Sequence, residues 1–160
     1  MSFKSYLEYL EQGKKQKITE NFTLFEIANS ATAIARKIDN TPTKVQTDNA
    51  INLVKNILQP VRTYFKLPMI VECMIRNAEL NKAVGGVSTS QHAKGEAADF
   101  YIKGVRLEAI VEYIRKNLLF DQLILERTGG AEWIHVSLCK VKNKNRKMVL
   151  KYDGKKYVKY

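Results

Sequence analysis

The sequence predicts an α+β fold in which helices come mainly from the N-terminal half and pack on a small antiparallel sheet from the C-terminal half. Between Ala50 and Phe65, apolar residues recur every three or four positions, a period typical of an amphipathic helix. Beyond Leu67-Pro68 the apolar residues stand in short runs, which are typical of strands. Near the C-terminus, Asp153-Gly154 separates two more short runs and signals a two-residue hairpin turn. Helices first and strands afterwards indicate an α+β domain.

The first quarter of the chain is predicted to form short helices. Residues 4–12 predict a helix that Gly13 ends. Thr23 and Glu26 have the spacing of a capping box, in which two side chains satisfy backbone N–H groups at the start of a helix. This second helix should run to about Asn29. Residues 30–40 fit either a loop or a weak helix.

A long amphipathic helix gives the strongest periodic signal. Thr41 as the N-cap and Pro42 at the first helical position should open it. Pro60 should kink it, because proline provides no donor for the Asn56 carbonyl, and Leu67-Pro68 should end it. The remaining predicted elements are a strand over 69–74, a short helix over 77–84, a strand over 97–102, a helix over 106–117, strands over 121–126 and 133–138, and hairpin strands over 147–152 and 155–160.

Composition bounds the class of protein. With 160 residues, of which 45% are hydrophobic and 27% charged, the chain has the balance of a globular domain. We expect one domain over 1–160, with a core over about 20–139 and a basic hairpin over 140–160. Cys73 and Cys139 match no metal or redox motif, so reduced core thiols are expected. No apolar stretch predicts a membrane span and no signal peptide is evident, so synthesis in the cytoplasm is expected.

The positive charge is concentrated near the C-terminus. The formal net charge is +11, and residues 140–160 carry nine Lys or Arg residues against one Asp, so +8 lies in this segment. A basic surface favours an anionic partner such as nucleic acid, anionic lipid or an acidic polymer, but a solvated basic tail explains the charge equally well. Tyrosines among the lysines would allow stacking on bases. An alternating hairpin also explains their spacing, so nucleic acid binding is the weaker alternative.

Both histidines of the chain lie in segments with other polar residues typical of a site. His92 stands in 90–99, which reads Ser-Gln-His-Ala-Lys-Gly-Glu-Ala-Ala-Asp, and His135 stands in 131–137, which reads Ala-Glu-Trp-Ile-His-Val-Ser. Two imidazoles and the Asp99 carboxylate make a three-ligand set that could hold zinc and leave a fourth position open for water. The pattern predicts a metallohydrolase, in which a nearby carboxylate handles the proton of that water.

Two glutamates compete for the role of that general base. Glu132, three residues before His135, is the preferred candidate. Residues three apart on a regular strand face opposite ways, so Glu132 must lie in the turn before the strand, or at a bulge, to share a site with His135. Glu126, on the preceding predicted strand, is the alternative.

The spacing of these residues resembles the signature of a known family. Ser90-x-His92-x-x-Gly95-x-Ala97-x-Asp99, followed by Glu132-x-x-His135, is similar to the motif of zinc D-Ala-D-Ala carboxypeptidases and L-Ala-D-Glu endopeptidases. These enzymes share the Hedgehog/DD-peptidase fold and include many bacteriophage murein hydrolases. The resemblance covers roughly residues 22–138 and is greatest with the short phage-encoded branch. It implies that fold and a peptidase activity for this chain.

The resemblance also implies roles for individual residues. It makes His92, Asp99 and His135 the zinc ligands. Glu132 would be the general base that turns zinc-bound water into a nucleophile.

Three further residues take supporting roles by the same resemblance. Arg76 would lie over the substrate carbonyl or carboxylate, with a surface salt bridge as its alternative role. Ser90 and Ser137 would help to orient the ligands. The chain departs from the family where Ser-Gly-Tyr usually precedes this arginine. It has Cys73-Met74-Ile75 instead, so the usual Ser and Tyr substrate contacts are missing.

We therefore expect a zinc metallopeptidase that hydrolyses a peptide bond in the stem peptide or cross-link of bacterial peptidoglycan. It would act as a D-Ala-D-Ala carboxypeptidase or as an endolysin-type endopeptidase. The alternative is a structural or binding protein that keeps the fold and the zinc but has little or no turnover. We expect a monomer whose partner is peptidoglycan rather than nucleic acid. Without a signal peptide, it would reach the wall after lysis, through a phage release system or as a virion component.

Overall fold

The computed structural model describes residues 2–160. Its helices are α1 (Phe3–Gly13), α2 (Leu24–Ala28), α3 (Ala31–Arg36), α4 (Lys44–Leu53), α5 (Gln59–Phe65), α6 (Ala78–Ala83) and α7 (Leu107–Asn117), with a π-helical turn at Val54–Leu58 and 3₁₀ turns at Gln91–Lys94 and Lys142–Lys144. Its strands are β1 (Met69–Cys73), β2 (Ala97–Ile102), β3 (Gln122–Thr128), β4 (Ala131–Ser137), β5 (Met148–Tyr152) and β6 (Tyr157–Lys159). The predicted α+β class is confirmed, and α3 occupies the segment that sequence left ambiguous. None of the helices within residues 2–160 is both long and apolar enough to cross a bilayer.

The strands form one mainly antiparallel sheet in the order β1-β2-β4-β3-β5-β6. Every neighbouring pair is antiparallel except β3 and β5, which are parallel. β4 already occupies one edge of β3, so β5 adds to the other edge. The connection between β4 and β5 leaves β4 close to Gln122, where β3 begins, and β5 therefore runs in the same direction as β3.

The two faces of the sheet have different roles. On β2, Ala98, Phe100 and Ile102 are buried in the core with apolar residues of α4, α5 and α7. The intervening Asp99 and Tyr101 face the other side, because side chains on a strand alternate between its two faces. The helices thus cover one face, and the polar residues of the candidate site lie on the other.

The long helix begins later than predicted, because Thr43 rather than Thr41 is its N-cap. The Thr43 hydroxyl accepts the Gln46 backbone N–H at 3.2 Å, and the Gln46 side chain accepts the Thr43 N–H at 2.8 Å. Thr41 instead donates its N–H and its hydroxyl to Asp39, at 2.9 and 2.6 Å. Three residues after Thr41 stands Lys44, which cannot accept the N-cap N–H, so only Thr43 can form a complete capping box.

Pro60 changes the winding of the long helix without breaking it. Val54–Leu58 forms a π-helical turn between α4 and α5, and Pro60 lies in the first turn of α5. The wider π-helical turn accommodates the proline ring and the missing N–H. This explains why a local change of winding is observed where the sequence predicted a kink. The helix ends at Lys66, which has a left-handed backbone with φ 56°.

The basic C-terminal segment over 140–160 forms part of the sheet, and side-chain contacts fix it before β5 and in the turn after β5. β5 and β6 form the predicted antiparallel pair, but four residues rather than two connect them. In this turn Asp153 Oδ1 accepts the N–H groups of Lys155 and Lys156 at 2.9 and 3.0 Å. Before β5, Arg146 donates from Nε and one terminal nitrogen to the buried Asp121 carboxylate, at 2.8 and 2.6 Å.

Asn40 connects segments of the chain beneath the site. Its fully buried amide donates from Nδ2 to the carbonyls of Ala28 and Ile75, at 3.2 and 2.9 Å. Its Oδ1 accepts the Asn77 N–H at 2.9 Å. Because Ile75 and Asn77 flank Arg76, this one amide fixes the backbone that carries the arginine.

We expect Asn40→Ala to lower the free energy of unfolding by about 2–4 kcal/mol, because it leaves buried backbone groups without partners. The matched control is Asn49→Ala, which removes only an exposed hydrogen bond to the Lys94 carbonyl. It should cost less than about 1 kcal/mol. Urea unfolding of both variants measures the difference. Equal losses would show that Asn40 does not connect these segments.

Candidate metal centre and cleft

The candidate site is built from two neighbouring strands and a 3₁₀ turn. In the antiparallel β2–β4 pair, Asp99 lies directly opposite His135, so their side chains share one face. The 3₁₀ turn Gln91–Lys94 brings His92 over the same face. Gly95 ends that turn in a left-handed conformation with φ 72°.

Three side chains converge at this point. His135 Nδ1 lies 2.8 Å from Asp99 Oδ1, and His92 Nε2 lies 3.2 Å from Asp99 Oδ2. The two ring nitrogens, His92 Nε2 and His135 Nδ1, are 3.3 Å apart. The structure therefore brings together the three residues that sequence proposed as metal ligands.

A backbone hydrogen bond fixes the tautomer of His92. Its Nδ1 lies 2.8 Å from the Met74 carbonyl oxygen, which can only accept, so Nδ1 carries the hydrogen. In the neutral ring, Nε2 then has a free lone pair and points at His135 and Asp99. A histidine held in this way by its second nitrogen is typical of metal sites.

The charge states at the centre also suit a metal ion. Burial, the largest effect, lowers the pKa of His92 in spite of the nearby Asp99 charge. Burial alone would raise the pKa of Asp99, but the two adjacent histidines outweigh that effect and hold the pKa below its ordinary value. A neutral imidazole beside an ionised carboxylate is the state in which both groups bind metal.

The spacing of the two histidine nitrogens fits a tetrahedral ion. Nitrogens about 2.0–2.1 Å from zinc lie about 3.3–3.4 Å apart at the tetrahedral angle. The 3.3 Å between His92 Nε2 and His135 Nδ1 agrees with this spacing. Two nitrogens and one carboxylate oxygen are also the donors that zinc accepts while it keeps a fourth position open.

Cys73 is a second possible partner for a metal, since its sulfur and ligand atoms of His92 and Asp99 all lie within 4.8 Å of one another. Cys73 Sγ approaches the Nδ1 side of His92, at 3.8 Å, and that nitrogen already faces the Met74 carbonyl. Burial raises the pKa of Cys73 to about 12, which disfavours the thiolate that binds metal. His135 is therefore the stronger candidate for the third ligand. Cys73 and Cys139 are free, as predicted, but both are half-buried rather than in the core.

The structure separates the two candidate bases. Glu132 lies neither in a turn nor at a bulge but inside β4, in regular register opposite Arg127. It therefore faces away from His135. Its carboxylate, about half exposed, accepts a hydrogen bond from Arg127 Nε at 2.8 Å. Nothing in this arrangement directs Glu132 toward the converging histidines.

Glu126 lies on the same face as the converging histidines. It is paired with Trp133 across β3 and β4, and His135 is the next residue on that face of β4. Burial raises the pKa of Glu126, and the Asp99 charge adds to this, while His135 and Arg76 lower it. Two of the smaller contributions thus come from His135 and Asp99, both in the proposed centre.

Arg76 and Ser90, to which the resemblance gives supporting roles, line the cleft that contains the centre. The backbone N–H of Arg76 donates to the backbone carbonyl of His92 at 3.1 Å, which connects the arginine to the turn that carries His92. Its buried side-chain Nε has no hydrogen-bond partner among residues 2–160. Ser137 is fully buried, and its hydroxyl accepts the Gln122 N–H at 3.0 Å, so it supports the β3–β4 pair rather than a ligand directly.

The sequence that forms this arrangement also matches a known family. The family model described as Peptidase M15 matches residues 20–137. The chain belongs to the peptidase M15 family. A search of curated proteins found no match. Membership in M15 indicates a metallopeptidase, and members of the family are typically zinc-dependent.

The part of this M15 chain that sequence reasoning missed is the C-terminal side of the cleft. The cleft has a volume of about 740 Å³, and Lys144, Arg146 and Tyr157, all beyond the family match, lie along it with Glu126. The hairpin signal at residues 153–154 was visible in the sequence, but the pairing of β5 with β3 was not. That pairing brings Tyr157 to the site.

Gly95 allows α4 to pack closely against the turn that carries His92. A Cβ at this position would lie 2.4 Å from the Gln46 carbonyl oxygen. Two side chains of α4 also hold the turn: Gln46 Nε2 donates to the Ala93 carbonyl and Asn49 Nδ2 donates to the Lys94 carbonyl, both at 2.9 Å.

We expect Gly95→Ala to destabilise the protein more than Gly104→Ala. Both glycines have positive φ, 72° and 85°, but a Cβ at Gly104 would meet no atom within 4 Å. The Gly104 variant should lose about 1–2 kcal/mol from backbone strain alone. The Gly95 variant should lose about 1–3 kcal/mol more, because α4 and the turn must separate. Thermal and urea unfolding compare the two, and equal losses would contradict the close packing.

Proposed function

We propose that this M15 protein is a zinc peptidase that hydrolyses a peptide bond in the stem peptide or cross-link of bacterial peptidoglycan. The observation that carries the proposal is the convergence of His92 Nε2, His135 Nδ1 and the Asp99 carboxylate in an open cleft, with separations of 2.8–3.3 Å. Family membership supports peptidase chemistry for this centre. Two things support peptidoglycan as the substrate: the motif resemblance, and family membership, since peptidases of this family act on peptidoglycan.

His92, Asp99 and His135 are the zinc ligands in this proposal. When bound, zinc supplies a Lewis acid for the scissile carbonyl and lowers the pKa of a coordinated water to about 7. The Met74 carbonyl keeps the His92 ring oriented through Nδ1, at 2.8 Å. Ser137 keeps β3 and β4 paired behind His135, and Ser90 borders the turn that carries His92.

Glu126, rather than Glu132, is the proposed general base. Its carboxylate would take a proton from the attacking water and pass it to the leaving amine. Two features support this choice: Glu126 shares the face of His135, and burial raises its pKa toward the range in which a carboxylate is an effective base. Glu132, which pairs with Arg127 on the other face, is proposed to stabilise the β3–β4 hairpin.

Arg76 is proposed to bind the developing oxyanion or a substrate carboxylate. Arg76 lines the cleft, and its buried Nε lacks a hydrogen-bond partner within residues 2–160. A preorganised cationic donor aimed at growing negative charge lowers a barrier without reorganisation. The same donor could also hold the terminal carboxylate of a stem peptide, which would favour carboxypeptidase action.

We further propose that residues 1–160 act as one peptidase domain, with the hairpin over 140–160 added to a core over about 20–139. The lysines of this hairpin give the domain a basic side that favours the anionic bacterial wall over a neutral surface. An endolysin-type role would bring the protein to the wall at lysis, through a phage release system or as a virion component.

Metal content is the first test. We expect about one zinc per chain in the purified protein, and loss of that zinc in His92→Ala, Asp99→Ala and His135→Ala, because each variant removes one of three donors. Cys73→Ser, which changes a neighbouring group outside the proposed set, should keep its zinc. Plasma emission spectrometry after dialysis measures the content. Full zinc in all three ligand variants, or its loss only in Cys73→Ser, would refute the ligand assignment.

The second test separates the two glutamates. Glu126→Gln should keep zinc and fold but lose hydrolysis of purified murein by at least about 100-fold, because the proton acceptor is removed. Glu132→Gln is the matched control and should remain close to the wild type. Mass spectrometry of the products also distinguishes release of one D-alanine from cleavage of a cross-link.

The reverse result, an active Glu126→Gln with an inactive Glu132→Gln, would make Glu132 the base. A wild-type protein that binds zinc but releases no product would favour the alternative of a non-catalytic binding protein.

A further inference from the structure

A row of side chains crosses the sheet on the site face, from the centre toward the C-terminal edge. Trp133 on β4 pairs with Glu126 on β3, Glu126 pairs with Tyr152 on β5, and Tyr152 pairs with Tyr157 on β6. Residues paired in this way point to the same face of a sheet. Aromatic rings therefore flank the Glu126 carboxylate on both sides.

Tyr157 is held in place but open to a ligand. Its ring lies against Tyr152, with centroids 4.6 Å apart and planes tilted by 32°. It nevertheless stays 55% exposed and borders the cleft together with Glu126 and Trp133. An exposed aromatic ring that is already ordered loses little conformational entropy when it contacts a ligand.

The hairpin that carries Tyr157 is rigidly connected to the rest of the sheet. β5 adds to β3 over five residue pairs, and the Arg146–Asp121 ion pair fixes its start. At the far end, Gly154 lies close enough to β3 that an added Cβ would come within 3.3 Å of Thr128 Oγ1. Tyr157 is thus positioned by the fold and not by a mobile tail.

Tyr157 and Trp133 lie on opposite sides of Glu126 along this face of the sheet, and all three line the cleft. Two strand-to-strand steps, about 9–10 Å, separate Glu126 from Tyr157, with Tyr152 on the strand between them, and one step separates Glu126 from Trp133. Burial raises the pKa of the Tyr157 hydroxyl, and the Glu126 and Asp99 charges add to this, as expected if the ring leans toward the centre.

We propose that Tyr157 is a substrate-contacting residue of the cleft, supplied by a hairpin that lies outside the family-matched residues, and that it holds the peptide part of a murein fragment opposite Trp133. The assignment rests on the proposed function, since it names the residue that positions the substrate beside Glu126. The ring face packs on apolar side chains such as the methyl groups of alanine residues, and the hydroxyl can exchange a hydrogen bond with a peptide group.

The test compares Tyr157→Ala and Tyr157→Phe with a matched control, Tyr64→Ala. Tyr64 is also an exposed tyrosine, 60% accessible, that stacks on another tyrosine, Tyr113, at 4.1 Å, but it lies on α5 away from the cleft. Tyr157→Thr is a further variant, because threonine keeps a hydroxyl and strand propensity but removes the ring. Circular dichroism, thermal unfolding and zinc content show that each variant is folded and loaded.

The substrate is a soluble disaccharide-pentapeptide released from purified murein. We expect Tyr157→Ala and Tyr157→Thr to raise KM by about tenfold with kcat little changed, because a substrate contact is lost while the chemistry is kept. Tyr157→Phe should recover most of the affinity, and Tyr64→Ala should match the wild type. Unchanged KM in folded Tyr157→Ala and Tyr157→Thr, or an equal rise in Tyr64→Ala, would overturn the assignment.

A second readout does not depend on turnover. Calorimetry measures the affinity of the same fragment for zinc-loaded protein that carries Glu126→Gln, with and without Tyr157→Ala. Weaker binding in the double variant supports the assignment even if the wild type proves to be non-catalytic, which is a failure of the proposed function alone. Equal affinity, or no binding of the fragment to either protein, overturns the assignment of Tyr157.

Discussion

The pairing of β2 with β4 is the constraint on which the rest of the candidate site depends. It sets Asp99 opposite His135, and it does so only in the observed register. A slip of one residue would turn Asp99 into the apolar core and bring an apolar neighbour to the cleft. The core itself enforces the register, because Phe100 and Ile134 must stay buried on the helix-covered face. Hydrophobic packing on one face thus determines polar geometry on the other.

The third proposed ligand depends on helix packing instead of strand pairing. His92 lies in a short 3₁₀ turn. Two side-chain amides of α4, those of Gln46 and Asn49, donate hydrogen bonds to the backbone of this turn. From inside, the Met74 carbonyl just after β1 orients the ring. The centre therefore lies where the helical and sheet parts of the domain meet. A change in the packing of either part would therefore displace the side chains of His92, Asp99 and His135 relative to one another.

Sequence reasoning succeeded where a local pattern decides the structure. The alternation on β2 and β4 and the period of α7 predicted those elements and placed Asp99 and His135 on strands. The same alternation, applied to β3 and β4 together, would have favoured Glu126, but the preference for Glu132 rested on its position three residues before His135. The N-cap at Thr43 was missed because two threonines compete, and only the residue three positions later distinguishes them. The π-helical turn and the parallel β3–β5 pair could not be predicted, because both depend on packing between distant segments.

The parallel pairing of β5 with β3 has a consequence for how the domain is made. β3 and β4 can form their hairpin as soon as both have been synthesised, since a tight turn joins them. The second edge of β3 must then wait for residues 148–152, and in that interval its backbone N–H and C=O groups are open to any other strand. β5, which is synthesised after β3 and β4, therefore protects this edge from pairing with a second chain. A nascent chain that stalls before β5 would leave the edge open and be prone to aggregate.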